Sequence, residues 1–305
     1  MQALKVGLLG ASGVGKTSLM AAMWQTLERE SSPVRLRPND PTRSALHKKW
    51  SEFVDANAGE AFRPPAGGMA GSAGFTKHTF TLRVAQEDAA VVTFVDHRGG
   101  DLADNHSVLR GELQDAVAIL VVVDAVVLDQ WPEEAARAEL AVTGIKEIFE
   151  GMDDQAGGPP QVTFVLTKAE RYFEDNALAN LRTRFESVFR PAVDALRDRP
   201  WQLVAVQTTG RIRLSRVETE EVEGRTRRRA VFTRLPGDIE PKYADVPLRL
   251  TTRHLLRTVL REKGWLDAVM DWWKGVTARQ RAALEEFGAD DRSPAVLRTD
   301  GGGAA

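Results

Sequence analysis

GASGVGKT, residues 10–17, satisfies the spacing GxxxxGK[ST] through Gly10, Gly15, Lys16 and Thr17. It stands between an apolar run, Val6 to Leu9, and a helix-forming run from Ser18 to Leu27. That order is strand, loop, helix. Glycines let the backbone turn tightly enough for several N–H groups to point inward at phosphate oxygens, and the helix N-terminus adds a favourable dipole. Lys16 is then placed to reach the β and γ phosphates, and the Thr17 hydroxyl to bind Mg²⁺.

The 305 residues, 43% of them hydrophobic, suffice for one large domain carrying insertions. With 41 basic and 43 acidic residues, the formal charge of −2 gives no global field favouring nucleic acid or an anionic membrane. The absence of cysteine excludes disulfides, thiolate catalysis and Cys-ligated zinc. The start MQALKVGLLG has no charged region followed by a long apolar core and cleavage site, and no apolar run is long enough to span a bilayer. A soluble cytoplasmic protein is the expectation.

Leu4 to Leu9 reads as a buried strand and Ser18 to Glu30 as the helix it feeds. Residues 31–75 form a long insertion: an extended piece at Val34 to Arg37, a helix from Thr42 to Val54, and a Pro/Gly-rich loop from Gly59 to Gly74 suited to ordering on a ligand. Lys77 to Ala85 alternates, turns at Gln86 to Asp88, and returns as Ala90 to Val95. So short a turn forces an antiparallel pair. It also places Asp96 at the C-terminal edge of the sheet, where open α/β folds bind ligands. Ala116 to Asp124, Val162 to Leu166 and Leu203 to Val206 are apolar strands, separated by helices at Glu133 to Phe149 and at Leu178 to Leu196, the second kinked by Pro191. The alternation indicates a doubly wound, mostly parallel α/β sheet with one antiparallel strand.

Residues 209–247 interrupt the rhythm. Glu218, Glu220, Glu221 and Glu223 precede Gly224, and Arg225, Arg227, Arg228 and Arg229 follow it. A basic patch for nucleic acid is one reading. The nearly cancelling charges favour an inserted β-hairpin whose acidic arm faces its basic arm. Leu248 to Arg261 resumes as a helix that closes the domain at residue 262. Residues 263–287 carry an amphipathic helix, with Trp265 to Val276 along one stripe, expected to pack on the domain or a partner rather than on a membrane surface. Residues 288–305, ending GGGAA, read as a disordered tail.

Three further features lie at strand ends on the side of the loop. Asp96-His97-Arg98-Gly99 is a DxxG pattern, in which an acidic residue holds Mg²⁺ through water and a glycine amide approaches the γ-phosphate. Thr167-Lys168-Ala169-Glu170 resembles the [NT]KxD base-reading motif, with Glu170 where aspartate is usual. Gln207-Thr208-Thr209-Gly210, at the end of the last strand, stands where a variable loop supports the base edge.

GASGVGKT, DHRG and TKAE in this order resemble the TRAFAC class of P-loop GTPases, the class of Ras-like and translation-factor G domains. The resemblance covers residues 4 to 262, and the long insertion after the first helix also looks like bacterial GTPases of multi-gene signalling or defence systems. It implies that Gly10, Ser12, Gly13, Val14, Gly15, Lys16, Thr17 and Ser18 surround the phosphates of GTP or GDP. It further implies Mg²⁺ at Thr17 and Asp96, a γ-phosphate contact at Gly99, and base contacts from Thr167, Lys168, Glu170 and Thr208. The class needs a threonine to cap Mg²⁺; Thr76, just before the returning pair of strands, is the choice, with Thr79 and Thr42 the other candidates.

One departure bears on turnover. Ras-like members follow the DxxG glycine with a glutamine that orients water, and this chain has Gly100. Slow intrinsic hydrolysis is expected, raised by a partner's arginine or by His97, Arg98 or Asp101, although His97 also reads as a solvated loop residue. The leading expectation is a GTP-dependent switch with a protein effector or activating partner. A P-loop ATPase or kinase, and a nucleotide-binding scaffold with little turnover, are the alternatives.

Overall fold

The computed structural model describes residues 2–28, 34–56, 61–62, 76–84, 87–97, 102, 106–152, 159–197, 199–222, 225–262 and 293–299. The expected switch residues Arg98 to Asp101 and the helix at 263–287 lie outside them.

The hydrophobic strands assemble into one sheet. β1 (Gln2–Leu9) pairs in parallel with β5 (Glu87–Asp96) on one side and β6 (Ala116–Asp124) on the other. Beyond β6 come β7 (Gln161–Thr167), β8 (Trp201–Ala205) and β11 (Val296–Thr299); beyond β5 come β4 (Thr76–Val84) and β2 (Val34–Pro38). The 8-stranded order is β11-β8-β7-β6-β1-β5-β4-β2. β4 runs antiparallel to its neighbours β5 and β2, as the short turn requires.

β11 is a second antiparallel strand, where the sequence indicated only one, and it corrects the expectation of a wholly disordered tail. Of the four residues only Val296 and Thr299 are β-branched, and β8 offers the segment an edge to pair with. A second sheet, of order β3-β10-β9, joins β3 (Ala61–Phe62) to the hairpin of β9 (Ile212–Val222) and β10 (Arg225–Arg234). Glu218 is opposite Arg229 and Glu220 opposite Arg227, the facing of acidic and basic arms that the charge pattern suggested.

The helices follow the same logic. α1 (Lys16–Glu28) begins inside the glycine loop, and α2 (Asp40–Ala56) packs beside it. After β5 come α3 (His106–Leu113), and after β6 α4 (Ala125–Gln130), α5 (Glu133–Glu139) and α6 (Val142–Glu150). The single helix expected over Glu133 to Phe149 is broken: Ala141 adopts φ 52°, redirecting the chain so that Val142, Ile145, Ile148 and Phe149 all reach the core. α7 (Glu170–Glu174), α8 (Leu178–Val188) and α9 (Arg190–Ala195) follow β7, with Pro191 opening α9. α10 (Val246–Glu262) packs against β6 and β7.

Aromatic rings fill the space between layers. Phe164 meets Phe185 at 4.9 Å and Trp201 at 5.8 Å between ring centres, while Phe80 meets Phe94 at 5.4 Å and Trp24 of α1 at 6.3 Å. Each such pair contributes roughly 0.5–1.5 kcal/mol beyond area burial. The second cluster anchors β4 and β5 to α1, and so fixes the ends of those strands against the glycine loop. Among the described residues no helix is long and apolar enough to cross a membrane.

Candidate functional site

Three glycines shape the loop between β1 and α1. Gly10, Gly13 and Gly15 take φ of 149°, 77° and 95°, conformations that side chains rarely adopt. At Gly10 the constraint is also steric, because a Cβ would lie 2.6 Å from the Val122 carbonyl oxygen. The Leu19 N–H donates to Gly15 O at 2.8 Å, so the first turn of α1 starts in the loop. Lys16 Nζ donates to Gly10 O at 2.7 Å and Ala11 O at 3.1 Å, which folds the ammonium back over the loop. Ser12 and Gly13 are exposed, Gly15, Thr17 and Ser18 half-buried, and Val14 is buried in the core.

β5 delivers Asp96 beside this loop. Its side chain is only 6% exposed, and Oδ1 is buried with no hydrogen-bond partner among the described residues. Burial pushes the carboxyl up to about 6, against the pull of the nearby Lys16 ammonium. Thr76 is the residue of β4 directly opposite Asp96, on the same face as Phe80 and Phe94. Thr79 pairs with Thr93, three places back, and therefore projects from the other face. Thr42 is buried and its hydroxyl accepts the Thr79 N–H at 2.9 Å, a bond that ties α2 to β4.

His97 is 2% exposed, which corrects the picture of a solvated loop histidine: its backbone N–H still bonds Leu8 O at 3.4 Å, so the chain has not yet left the sheet. The expected γ-phosphate contact Gly99 and the neighbouring Arg98 fall outside the described residues.

β7 supplies the third group. The Thr167 hydroxyl is buried and lies 2.6 Å from Val14 O and 3.2 Å from Val123 O, lashing the glycine loop to the centre of the sheet. Lys168 adopts φ 58° and extends along the loop, donating to Gly13 O at 3.0 Å and forming an ion pair with Asp124. Asp124 also caps α4, accepting from the N–H groups of Val126 and Val127 at 2.9 and 3.2 Å. Glu170, 6% exposed at the start of α7, accepts from the Thr209 N–H at 3.1 Å and the Thr209 hydroxyl at 2.8 Å through Oε1. Burial raises its pKa, partly opposed by these bonds.

The three motifs thus converge on one end of the sheet. Thr208 is buried, and the residue of its loop that engages Glu170 is Thr209. Asp124 had no place in the motif reading, and within Gln207-Thr208-Thr209-Gly210 the base contact was expected from Thr208. Asp124 carries a sequence signal, an acidic residue ending an apolar strand as Asp96 does; nothing in QTTG distinguishes Thr209 from Thr208 before the loop is folded.

No curated protein matches the sequence. Among solved structures, the S. cerevisiae Ski7 GTPase-like domain bound to GTP is 14% identical, with a TM-score of 0.45 over 68% of this chain and 43% of that chain. The same domain bound to GDP and inorganic phosphate is 15% identical at the same TM-score of 0.45 and the same coverage of 68% and 43%. The Arl6 BBS3 small GTPase from Trypanosoma brucei, with bound nucleotide analogue GppNp, is 14% identical with a TM-score of 0.37 over 68% of this chain and 88% of that one. The chain therefore spans less than half the length of the Ski7 chains it resembles. A family model covering residues 5–196, from β1 to the end of α9 and well over half of the sequence, matches as well, and by that match this chain belongs to the Double-GTPase 2 family of P-loop GTPases.

Proposed function

We propose that the chain binds GTP with Mg²⁺ at residues 10–17 and hydrolyses it slowly, as a nucleotide-dependent switch read by a protein effector. Asp96 carries the reading. A carboxylate oxygen buried without a partner, on a group whose charge burial opposes, is stabilised by a cation brought to it. Thr17 in the first turn of α1 and Thr76 opposite Asp96 add hydroxyls of the kind Mg²⁺ accepts. Among the described residues no three acidic or histidine side chains cluster into a ligand set, so a cation here would depend on phosphate oxygens for the rest of its shell. Bound Mg²⁺ would neutralise charge on the β and γ phosphates.

The chain's own groups do the remainder. The loop amides and the start of α1 receive the phosphates, and Lys16 exchanges two carbonyl partners for charged oxygens. Lys168, stretched along the loop, offers its aliphatic stem to the face of a base. Glu170, whose Oε1 is held by Thr209, stands where the resemblance puts the acceptor for guanine N1 and N2 hydrogens, which adenine lacks. Gly100 has no side chain to orient water and His97 is buried, which supports a rate on the order of 10⁻³ s⁻¹ or below until a partner supplies an arginine.

Titration with fluorescent GTP, GDP and ATP, with and without Mg²⁺, tests the reading. Guanine preference and Mg²⁺-dependent triphosphate affinity are expected; equal affinity for ATP, or none for any nucleotide, would overturn it.

A further inference from the structure

The two insertions of this domain meet each other. β3 lies in the first insertion, between α2 and Thr76, and pairs with β10 of the second: Phe62 opposite Phe232 and Ala61 opposite Thr233. Ile212, Leu214 and Phe232 seat the base of the hairpin in the main core.

The roots of the same hairpin clasp the loop that holds Glu170. Gln207 and Lys242 exchange backbone bonds of 3.0 and 2.9 Å, and the Glu240 N–H donates to Thr209 O at 3.0 Å. Gly210 takes φ 65°, and a Cβ there would lie 1.9 Å from Glu240 O, so the two roots touch backbone to backbone. The Thr209 hydroxyl donates to Glu170 and accepts from the N–H of Ile212, the first residue of β9, at 3.1 Å. Arg213 meets Glu174 at 3.5 Å and Asp175 at 3.3 Å, and Phe173 stacks on Tyr243 at 5.0 Å, which bolts α7 to both roots.

We propose that the hairpin is a positioning element joining the loop at residues 207–210 to the insertion that leads to Thr76, with Thr209 and the β3–β10 pairing as its two joints. The inference rests on the nucleotide site argued above. A ligand seated against Glu170 stiffens Thr209, the hairpin and β3 together; freeing β3 loosens the loop in return, because coupling between sites is reciprocal.

The test uses the full chain with Ala61→Pro and Phe62→Pro combined, which removes both N–H groups whichever one faces β10. Hydrogen exchange without nucleotide should quicken by about fivefold or more at the amides of Thr209, Glu240 and Lys242, and fluorescent GDP should dissociate faster by a similar factor. From the other end, Thr209→Val should quicken exchange at Phe232 and Thr233, which keeps the proposal testable should the double proline variant unfold. Unchanged exchange at the far joint in either variant overturns it, as does unchanged GDP dissociation from a variant whose exchange has risen. A wild-type chain that binds no fluorescent GDP sinks the guanine reading alone, and the exchange measurements still decide whether the hairpin couples its two joints.

Discussion

Thr76 and Asp96 are register partners at the ends of β4 and β5, facing each other on the side of the sheet that α1 covers. A hydroxyl at the exit of the first insertion and the buried acid of the DxxG stretch are thereby brought together by backbone pairing. Removing the hydroxyl should weaken the triphosphate state selectively. Thr76→Ala is expected to lower affinity for a non-hydrolysable GTP analogue by about tenfold while leaving GDP nearly unaffected, by titration in Mg²⁺. Equal losses for both nucleotides would remove Thr76 from the γ-phosphate side.

Asp96 should trade stability for binding. Its folded-state pKa of about 6 lies above the ordinary 3.8, so the group supports the fold fully below the lower value and withdraws that support as pH rises through the higher one. The difference is on the order of 3 kcal/mol at neutral pH. Asp96→Asn should therefore melt higher than wild type near pH 7 without ligand, converge with it at about pH 4, and lose Mg²⁺-dependent nucleotide affinity. A variant that melts lower at neutral pH contradicts the burial argument.

Lys16→Ala should abolish triphosphate binding while leaving the fold intact, since the ammonium bonds the Gly10 and Ala11 carbonyls of the loop it would serve. Retained affinity in a calorimetric titration means the phosphates sit elsewhere.

Thr167 supports the loop from behind. Thr167→Val keeps the volume but leaves Val14 O without its 2.6 Å donor, at a cost of about 1–3 kcal/mol in chemical denaturation. Nucleotide affinity should fall with it, because the buried carbonyl can recover a partner only by moving the loop.

Glu170→Ala should erase the preference for GTP over ATP, by about tenfold or more, with a smaller effect on total affinity. A preserved ratio in competition titrations would transfer base selection to another group.

The strands announced themselves because apolar runs of four to nine residues have few other ways to bury both faces. The glycine loop was equally plain, since Gly10, Gly13 and Gly15 sit where side chains cannot follow the backbone. The hairpin could be read from charges that cancel across a glycine. Local pattern sufficed wherever a residue's role depends on its immediate neighbours.

Other features depended on contacts far apart along the chain. Ala141 looks like an ordinary helix former, and only the demand of Val142 and Phe149 for the core breaks the helix there. Val296 to Thr299 have no pattern strong enough to announce a strand; the free edge of β8 makes them one. His97 reads as a loop residue and is buried, because β5 stays bonded to β1 one residue past Asp96. The meeting of β3 with β10, about 170 residues apart, and the choice of Thr209 over Thr208 as partner of Glu170 are likewise tertiary. The sequence by itself set the phosphate loop, the sheet and its acidic edge, through periodicity and backbone sterics; packing decided which polar groups are buried, and with whom, since desolvation depends on neighbours that only the folded chain brings together.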